Sequence, residues 1–167
     1  MTKNFFGIRR LSCEDKPALE AHFHSLDECD YRSRFGGALN KEILKKIVHN
    51  LNLENSIVFF KWGKLQAVAL MLDTKDTQTL ELGISCESSL KGRGVGTQLV
   101  YLALDLAQAK NKKRVQVSYD RQNLAIAKIS SKFPGKLEMV GPDCLKEIEL
   151  DNWSPLEFNL NIIEQEY

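Results

Sequence analysis

A glycine-rich segment in the middle of the chain has the composition of an anion-binding turn. It reads Lys91-Gly92-Arg93-Gly94-Val95-Gly96, between an apolar β-type run and a strongly amphipathic helical pattern. Glycine permits positive φ and lets a ligand approach the backbone, and a helix N-terminus offers unpaired N–H groups at its positive dipole end. We therefore predict that Gly92 to Thr97 bind a phosphate, with added charge from Lys91 and Arg93. A tight turn without a ligand is the alternative interpretation.

The spacing of the turn narrows the kind of phosphate ligand. A nucleotide-triphosphate loop needs a Lys before its Ser or Thr, and no lysine precedes Thr97. An NAD-type dinucleotide-binding oxidoreductase is a second alternative, because Asp120 ends the next predicted strand, where a ribose-binding acid would stand. The third glycine of that fingerprint is missing at position 97, however, and antiparallel-type patterns precede the turn. The pyrophosphate of coenzyme A is the remaining candidate ligand for the turn.

The hydrophobic periodicity predicts the elements around this turn. Period 3.6 indicates helices, and period 2 with β-branched residues indicates strands. The predicted strands are Phe5–Leu11, Ser56–Trp62, Leu65–Leu72, Thr79–Cys86, Val115–Tyr119, Leu137–Val140 and Leu145–Leu150. The predicted helices run from about Ser12 to Leu26, from Asn40 past Val48, from Val95 to about Lys110 and from Leu124 to Lys132. The order β-α-α-β-β-β-α-β-α-β-β predicts an α/β fold with a mixed sheet, in which Leu80–Cys86 and Val115–Tyr119 are parallel.

Two segments together resemble a known family. Glu81-Leu82-Gly83-Ile84-Ser85-Cys86 leads into the glycine-rich turn, and Asn123-Leu124-Ala125-Ile126-Ala127 follows the next strand. This arrangement resembles the GNAT superfamily of N-acetyltransferases, whose signature is Gln/Arg-x-x-Gly-x-Gly/Ala, with Lys91 in the first position. The resemblance implies the acyl-CoA N-acyltransferase fold, with a central sheet splayed between the strands on either side of the motif helix. It also implies that acetyl-CoA lies in that split and that its acetyl group passes to an amine of a small molecule, a peptide or a protein.

The resemblance assigns roles to individual residues. The strand backbone would bind the pantetheine arm and the thioester oxygen, the turn would bind the pyrophosphate, and an Asn would contact pantetheine or a water. The expected coenzyme A-binding residues are Ile84, Ser85, Cys86, Lys91, Gly92, Arg93, Gly94, Val95, Gly96, Thr97 and Asn123. Glu81 is the candidate general base, acting directly or through water; a solvent-facing strand glutamate is the alternative.

The chain departs from the family pattern at the proton donor. A Tyr commonly stands six residues after the Asn in this family, and here that position is Ile129, while Phe133-Pro134 replaces the family's Gly-Phe. Tyr119, Ser130, Cys86 or water remain as alternatives. The departure supports a rival hypothesis, a non-catalytic acyl-CoA-binding regulatory domain.

The segment from Asp27 to Phe35 lies between the first two predicted helices. It carries Tyr31, Arg32 and Arg34, and in the resembling family this region helps to form the acceptor site. Arginine side chains suit a carboxylate or another acidic acceptor. A solvated connection with a structural ion pair is the alternative interpretation.

Length and composition limit the remaining function classes. The length of 167 residues predicts one domain over 1–167. The net charge of +1, and a basic run from Lys110 to Arg114 without interleaved aromatics, predict no direct binding to nucleic acid. No apolar run approaches a membrane span, which predicts a cytoplasmic protein. The alternating tail in 151–167 predicts either an edge strand, in a monomer or a homodimer, or an unstructured tail.

No metal site is expected. The four cysteines contain no CxxC pair, and the three histidines share no ligand spacing. His22 and His24 are two residues apart, on different faces of a helix, and are expected at the surface.

Overall fold

The computed structural model describes residues 7–37 and 40–154. The strands are β1 (Gly7–Arg10), β2 (Ile57–Lys61), β3 (Lys64–Asp73), β4 (Thr79–Cys86), β5 (Arg114–Asp120), β6 (Lys136–Val140) and β7 (Asp143–Glu149). The α-helices are α1 (Lys16–Ser25), α2 (Glu28–Phe35), α3 (Lys41–Asn50), α4 (Val95–Ala109) and α5 (Leu124–Ser130), and 3₁₀ turns cover Cys13–Asp15 and Ser88–Leu90. Phe5, Phe6 and the predicted tail strand in 151–167 fall wholly or largely outside the described residues.

The strands form one mixed sheet in the order β1-β2-β3-β4-β5-β7-β6. The neighbours from β1 to β4 are antiparallel, as are β5, β7 and β6, whereas β4 and β5 are parallel. The mixed α/β sheet, the antiparallel meander of β2 to β4 and the parallel β4–β5 pair are therefore confirmed. The crossover connection through α4 makes β5 parallel to β4.

Helix α2 is an element that the hydrophobic pattern did not predict. The Asp27 side chain accepts a hydrogen bond from the Asp30 N–H at 2.8 Å and caps the helix, and Gly36 ends it at φ 69°. The sequence analysis predicted no element between Leu26 and Asn40, and it was wrong for Glu28–Phe35. The observed order is β-α-α-α-β-β-β-α-β-α-β-β. The helix is short and mostly charged, so it has no repeating apolar stripe that would reveal it. Its ends are marked instead by the Asp27 cap and by charges that suit the helix dipole.

The sheet carries a separate apolar core on each face. Helix α4 packs on one face, where Leu99, Ala103 and Leu104 are fully buried against strand residues. Helices α1 and α3 pack on the other face, around Leu19 and Leu44. The central strands are therefore covered by helices on both faces of the sheet.

Strands β4 and β5 diverge after a short paired stretch. Their pairing comprises Thr79–Arg114, Leu80–Val115 and Glu81–Gln116, and both strands continue beyond it. β4 runs on to Cys86 alongside β3, and β5 runs on to Asp120 alongside β7. The central sheet is therefore splayed, as expected, and the opening faces the start of α4.

Candidate active site

A cleft of about 570 Å³ occupies the opening between β4 and β5. Its walls come from α2, β4, the turn before α4, β5 and α5. The predicted site residues that line it are Arg32, Arg34, Glu81, Ile84, Ser85, Cys86, Lys91, Gly92, Gly94, Gly96, Thr97 and Asn123. Three predicted residues do not line it: Tyr31, Arg93 and Val95. One cleft thus brings together most of a set that extends over 92 sequence positions from Arg32 to Asn123.

The free edge of β4 offers backbone donors to this cleft. The Glu87 N–H bonds to the Gln66 carbonyl at 2.8 Å, directly beyond the β3–β4 register. Because antiparallel bonding alternates along a strand, the Ser85 N–H faces β3, whereas those of Ile84 and Cys86 face the opposite edge. β5 has already left that edge. Two N–H groups are therefore aimed into the cleft, and they suit a carbonyl or amide ligand.

The start of α4 forms the other end of the cleft. Gly94 precedes the helix at φ 82°, and the first helical bond runs from the Gln98 N–H to the Gly94 carbonyl at 3.0 Å. The N–H groups of residues 95–97 consequently have no acceptor within the helix. Lys132 donates to the Thr97 hydroxyl at 3.1 Å and so brings a cation to the same place. This arrangement can bind a phosphate anion.

Gly96 has a different role from the two glycines before it. An added Cβ would lie 3.0 Å from the Ile129 side chain, so α5 packs closely against the first turn of α4 at this position. Gly92 and Gly94, in contrast, have φ of 76° and 82° and nothing within 4 Å of an added Cβ. Ile129, at the family's Tyr position, therefore closes a helix contact and cannot donate a proton.

The two cations predicted for the phosphate end are arranged differently from expectation. The Lys91 ammonium lies 2.5 Å from one Asp30 oxygen and 3.5 Å from Asp27 on the α2 side. Burial lowers the pKa of Lys91, but these carboxylates outweigh it and leave the pKa raised. Arg93 lines a separate small pocket beside Trp62. Whether Lys91 and Arg93 bind coenzyme A stays a prediction.

Two lysines that the sequence analysis did not single out also line the cleft. Lys128 and Lys132 project from α5 and the residues after it, and both border the space in front of α4. Lys128 lies in the last turn of α5, and Lys132 lies two residues beyond its end. A search of the sequence for pairs of basic residues after Asn123 would have found these two lysines.

Asn123 connects two walls of the cleft. Its side-chain oxygen accepts a hydrogen bond from the Ile126 N–H at 3.2 Å, which caps α5, and its amide donates to the Ser33 hydroxyl of α2 at 2.7 Å. The residue therefore holds α5 and α2 at a defined separation while it faces the cleft.

The predicted acceptor residues of α2 point in three directions. Arg32 pairs with Glu28 at 2.6 Å near the rim and is 66% exposed. The Tyr31 ring packs beside Phe35, with ring centroids 4.9 Å apart. Arg34 alone turns its guanidinium over Gly83 of β4, where an added Cβ would lie 2.5 Å from the Cζ atom.

The candidate proton-transfer groups differ in their access to the cleft. Glu81 is exposed at the last paired position of β4 and lines the cleft. Tyr119 also lines it and is 8% exposed. Burial raises the pKa of Cys86 to about 12, so it remains a thiol at neutral pH. Ser130 is buried and does not border the cleft.

His22 is buried, and the expectation of a surface position was wrong. It lies on the α1 face that carries Leu19 and Phe23, and its Nε2 is 2.8 Å from the Ser85 hydroxyl. Burial lowers its pKa to about 4, against a smaller opposing influence of Glu87. The ring is therefore neutral at pH 7 and holds the Ser85 side chain on the sheet face away from α4.

The described residues contain no group of three or more His, Cys, Asp or Glu side chains placed to hold a metal ion. No helix in the described part of the chain combines the length and apolar character needed to cross a bilayer.

Comparisons with known proteins agree at the level of the fold. No family model matches the sequence, and no curated protein is detectably similar to it. Solved structures do match. A GNAT-family acetyltransferase from Streptococcus pneumoniae superposes with a TM-score of 0.65 at 18% identity, covering 85% of this chain and 97% of that one.

Two further matches were solved with a coenzyme. The paia N-acetyltransferase from Thermoplasma acidophilum, in complex with coenzyme A, has a TM-score of 0.63 at 17% identity over 85% of this chain and 97% of that one. The yncA protein from Salmonella typhimurium, solved with acetyl-CoA, has a TM-score of 0.66 at 14% identity over 90% and 96%. The chain therefore has the fold of GNAT-family acetyltransferases, and the fold expected from the two motifs is confirmed.

Proposed function

We propose that this protein is an N-acetyltransferase that moves an acetyl group from acetyl-CoA to an amine. The observation that carries the proposal is the splayed cleft, in which the free edge of β4 and the start of α4 offer backbone donors in one continuous groove beside Glu81. Solved proteins of the same fold that hold coenzyme A or acetyl-CoA support this choice of donor.

The proposed placement of acetyl-CoA follows the charge and hydrogen-bonding capacity of the cleft. The pyrophosphate would bind at the N–H groups of residues 95–97, near Lys132. The pantetheine arm would run along β4 and bind the N–H groups of Ile84 and Cys86. This orientation brings the thioester toward the paired end of the strands, where Glu81 lies.

The proposed reaction needs a neutral amine, a polarised carbonyl and a proton for the departing sulfur. The amine nitrogen attacks the thioester carbon while Glu81 takes a proton from the amine through water. A β4 N–H group stabilises the oxyanion. The carbon–sulfur bond then breaks, and Tyr119 donates its proton to the thiolate. We choose Tyr119 because it borders the cleft, whereas Ile129 is apolar and Ser130 lies away from it.

A non-catalytic acyl-CoA-binding domain is the second candidate, and Ile129 favours it. An NAD-type oxidoreductase has less support, because β4 and β5 form the one parallel pair among the described strands. A doubly wound dinucleotide fold requires a mostly parallel sheet.

Turnover separates these candidates. The protein is incubated with acetyl-CoA and a panel of amines while the release of free thiol is followed, and binding of coenzyme A and NADH is measured by thermal shift. We expect coenzyme A to raise the melting temperature and at least one amine to release thiol. Coenzyme A binding without turnover would establish the regulatory domain, and stabilisation by NADH alone would contradict the proposed donor.

A further inference from the structure

Arg34 presents a positive charge at the proposed acceptor side of the cleft, where it forms no ion pair with any described residue. Three atoms of its guanidinium occupy the space next to Gly83: an added Cβ would lie 2.5 Å from Cζ, 2.5 Å from Nη2 and 2.9 Å from Nη1. These similar distances place the planar group flat against the strand, which a side chain at position 83 would prevent.

The guanidinium has an aromatic neighbour, the Phe35 ring, whose centroid lies 5.8 Å from Cζ. Among residues 7–37 and 40–154, no group accepts a hydrogen bond from Arg34, and no carboxylate lies within 4 Å of its nitrogens. Burial lowers its pKa, and Glu81 is the one charge that opposes this effect. Part of the side chain stays accessible because it borders the cleft. A half-buried cation that donates no hydrogen bond within the described part of the protein has its donors available for an anionic ligand.

The form of the guanidinium selects the anion. Its forked N–H groups match a carboxylate in a bidentate arrangement. Phosphate groups already have a place at the start of α4, at the other end of the same cleft. Arg34 lies instead over the strand that leads from Glu81, where the proposed amine would react.

The position of Glu81 indicates that a ligand with a carboxylate on Arg34 also carries the reacting amine. Residues 81 and 83 face the same side of β4, and two residues of strand span about 6.7 Å. A carboxylate on Arg34 and an amine at Glu81 therefore belong to one small molecule. The two opposite charges also fit a zwitterion and disfavour a second cation near Arg34.

We propose that the acceptor is a small amino-acid-like amine whose carboxylate is bound by Arg34 over Gly83. This inference rests on the proposed acetyltransferase function, and it names the class of acceptor. Arg32, paired with Glu28, and Tyr31, packed beside Phe35, take no part in this contact.

The test compares amines that differ only in the carboxylate. The amino acids alanine, leucine, phenylalanine, glutamate and lysine are each paired with their α-amides, and spermidine is added as a polycation. Acetylation is followed by thiol release, and binding is measured by calorimetry in the presence of coenzyme A. At least one amino acid should exceed its amide in kcat/KM and in affinity by about 30-fold or more, the usual effect of losing one member of a buried charge pair.

Two variants locate the effect at this contact. Arg34→Gln removes the charge, and Gly83→Ala displaces the guanidinium without changing charge. Both variants should abolish the preference for the carboxylate and leave coenzyme A affinity unchanged. Arg34→Lys, which keeps the positive charge, should retain part of the preference for the carboxylate. Lys46→Gln, on the exposed side of α3, removes a charge outside the cleft and should preserve the preference.

The outcomes separate this inference from the proposed function. Turnover with equal or better use of the amides or spermidine overturns the carboxylate site and leaves the acetyltransferase standing. Carboxylate-dependent binding that needs Arg34, without turnover of any amine, supports the site and contradicts the acetyltransferase. A preference for the carboxylate that survives in Arg34→Gln also overturns the inference.

Discussion

The two ends of the cleft are built from different parts of the polypeptide. The proposed phosphate end, residues 92–97, consists mainly of backbone N–H groups at the start of α4. The proposed acceptor end consists of the side chains of Glu81, Arg34 and Tyr119, which come from β4, α2 and β5. A backbone site depends on one stretch of chain, whereas a side-chain site depends on how three elements pack. The first should therefore tolerate changes elsewhere, and the second should not.

The largest expected effect tests the acceptor end. Glu81→Gln keeps the size of the side chain and removes the base, so kcat/KM should fall by about 10³-fold while coenzyme A affinity is retained. Activity of the variant should recover in part at higher pH, where the amine loses its proton to solvent. Glu42→Gln, exposed on α3, is the matched control. Unchanged kcat/KM in Glu81→Gln would remove Glu81 from the mechanism.

The next effect concerns the support of β4 beside the acceptor end. The unfolded chain binds a proton on His22 near pH 6.5, whereas the folded protein resists it until the pKa of about 4. The stability that depends on neutral His22 is therefore lost as pH falls between these values, and it amounts to about 3 kcal/mol.

Urea unfolding at pH 7 and pH 4 measures this contribution. Between pH 7 and pH 4, the unfolding free energy should fall by about 3 kcal/mol less in His22→Gln than in the native protein. An equal loss in both proteins would show that His22 titrates normally and is not held neutral beside Ser85.

A change at the phosphate end should act on binding alone. Gly94→Asp adds a Cβ at φ 82° and a negative charge beside the proposed pyrophosphate, and we expect coenzyme A affinity to fall about 30-fold by calorimetry. Gly63→Asp, at φ 74° in the β2–β3 turn, introduces similar strain outside the cleft. If both variants keep native affinity, the turn before α4 is only a turn.

The smallest expected effect concerns the proton donor. Tyr119→Phe should lower kcat about tenfold with little change in KM, because the phenol acts after the amine has attacked. The effect should diminish with a thioester whose thiol is more acidic. A variant with full activity would assign the proton to water.

Local signals in the sequence predicted most elements and the phosphate end. Leu65–Leu72 is a nearly continuous apolar run that buries both faces of its strand, and the apolar stripe of Val95–Leu106 buries one helix face. The hydrophobic pattern therefore reports both elements directly. Helix α2 was missed because its stability comes from the Asp27 cap and terminal charges rather than from an apolar stripe. The surface position predicted for His22 was wrong because its spacing from Leu19 and Leu26, three and four residues, puts it on the apolar face of the helix.

The sequence by itself predicted the elements other than α2 and the turn at 92–97, because these depend on neighbours in the chain. The candidate base Glu81 came from the family resemblance. Tertiary structure alone decided that Lys91 pairs with Asp27 and Asp30, that Lys132 reaches the start of α4 and that Arg34 lies over Gly83. These contacts join residues between 35 and 64 positions apart. Their geometry follows from the packing of α2 and α5 against a splayed sheet, and no local pattern encodes it.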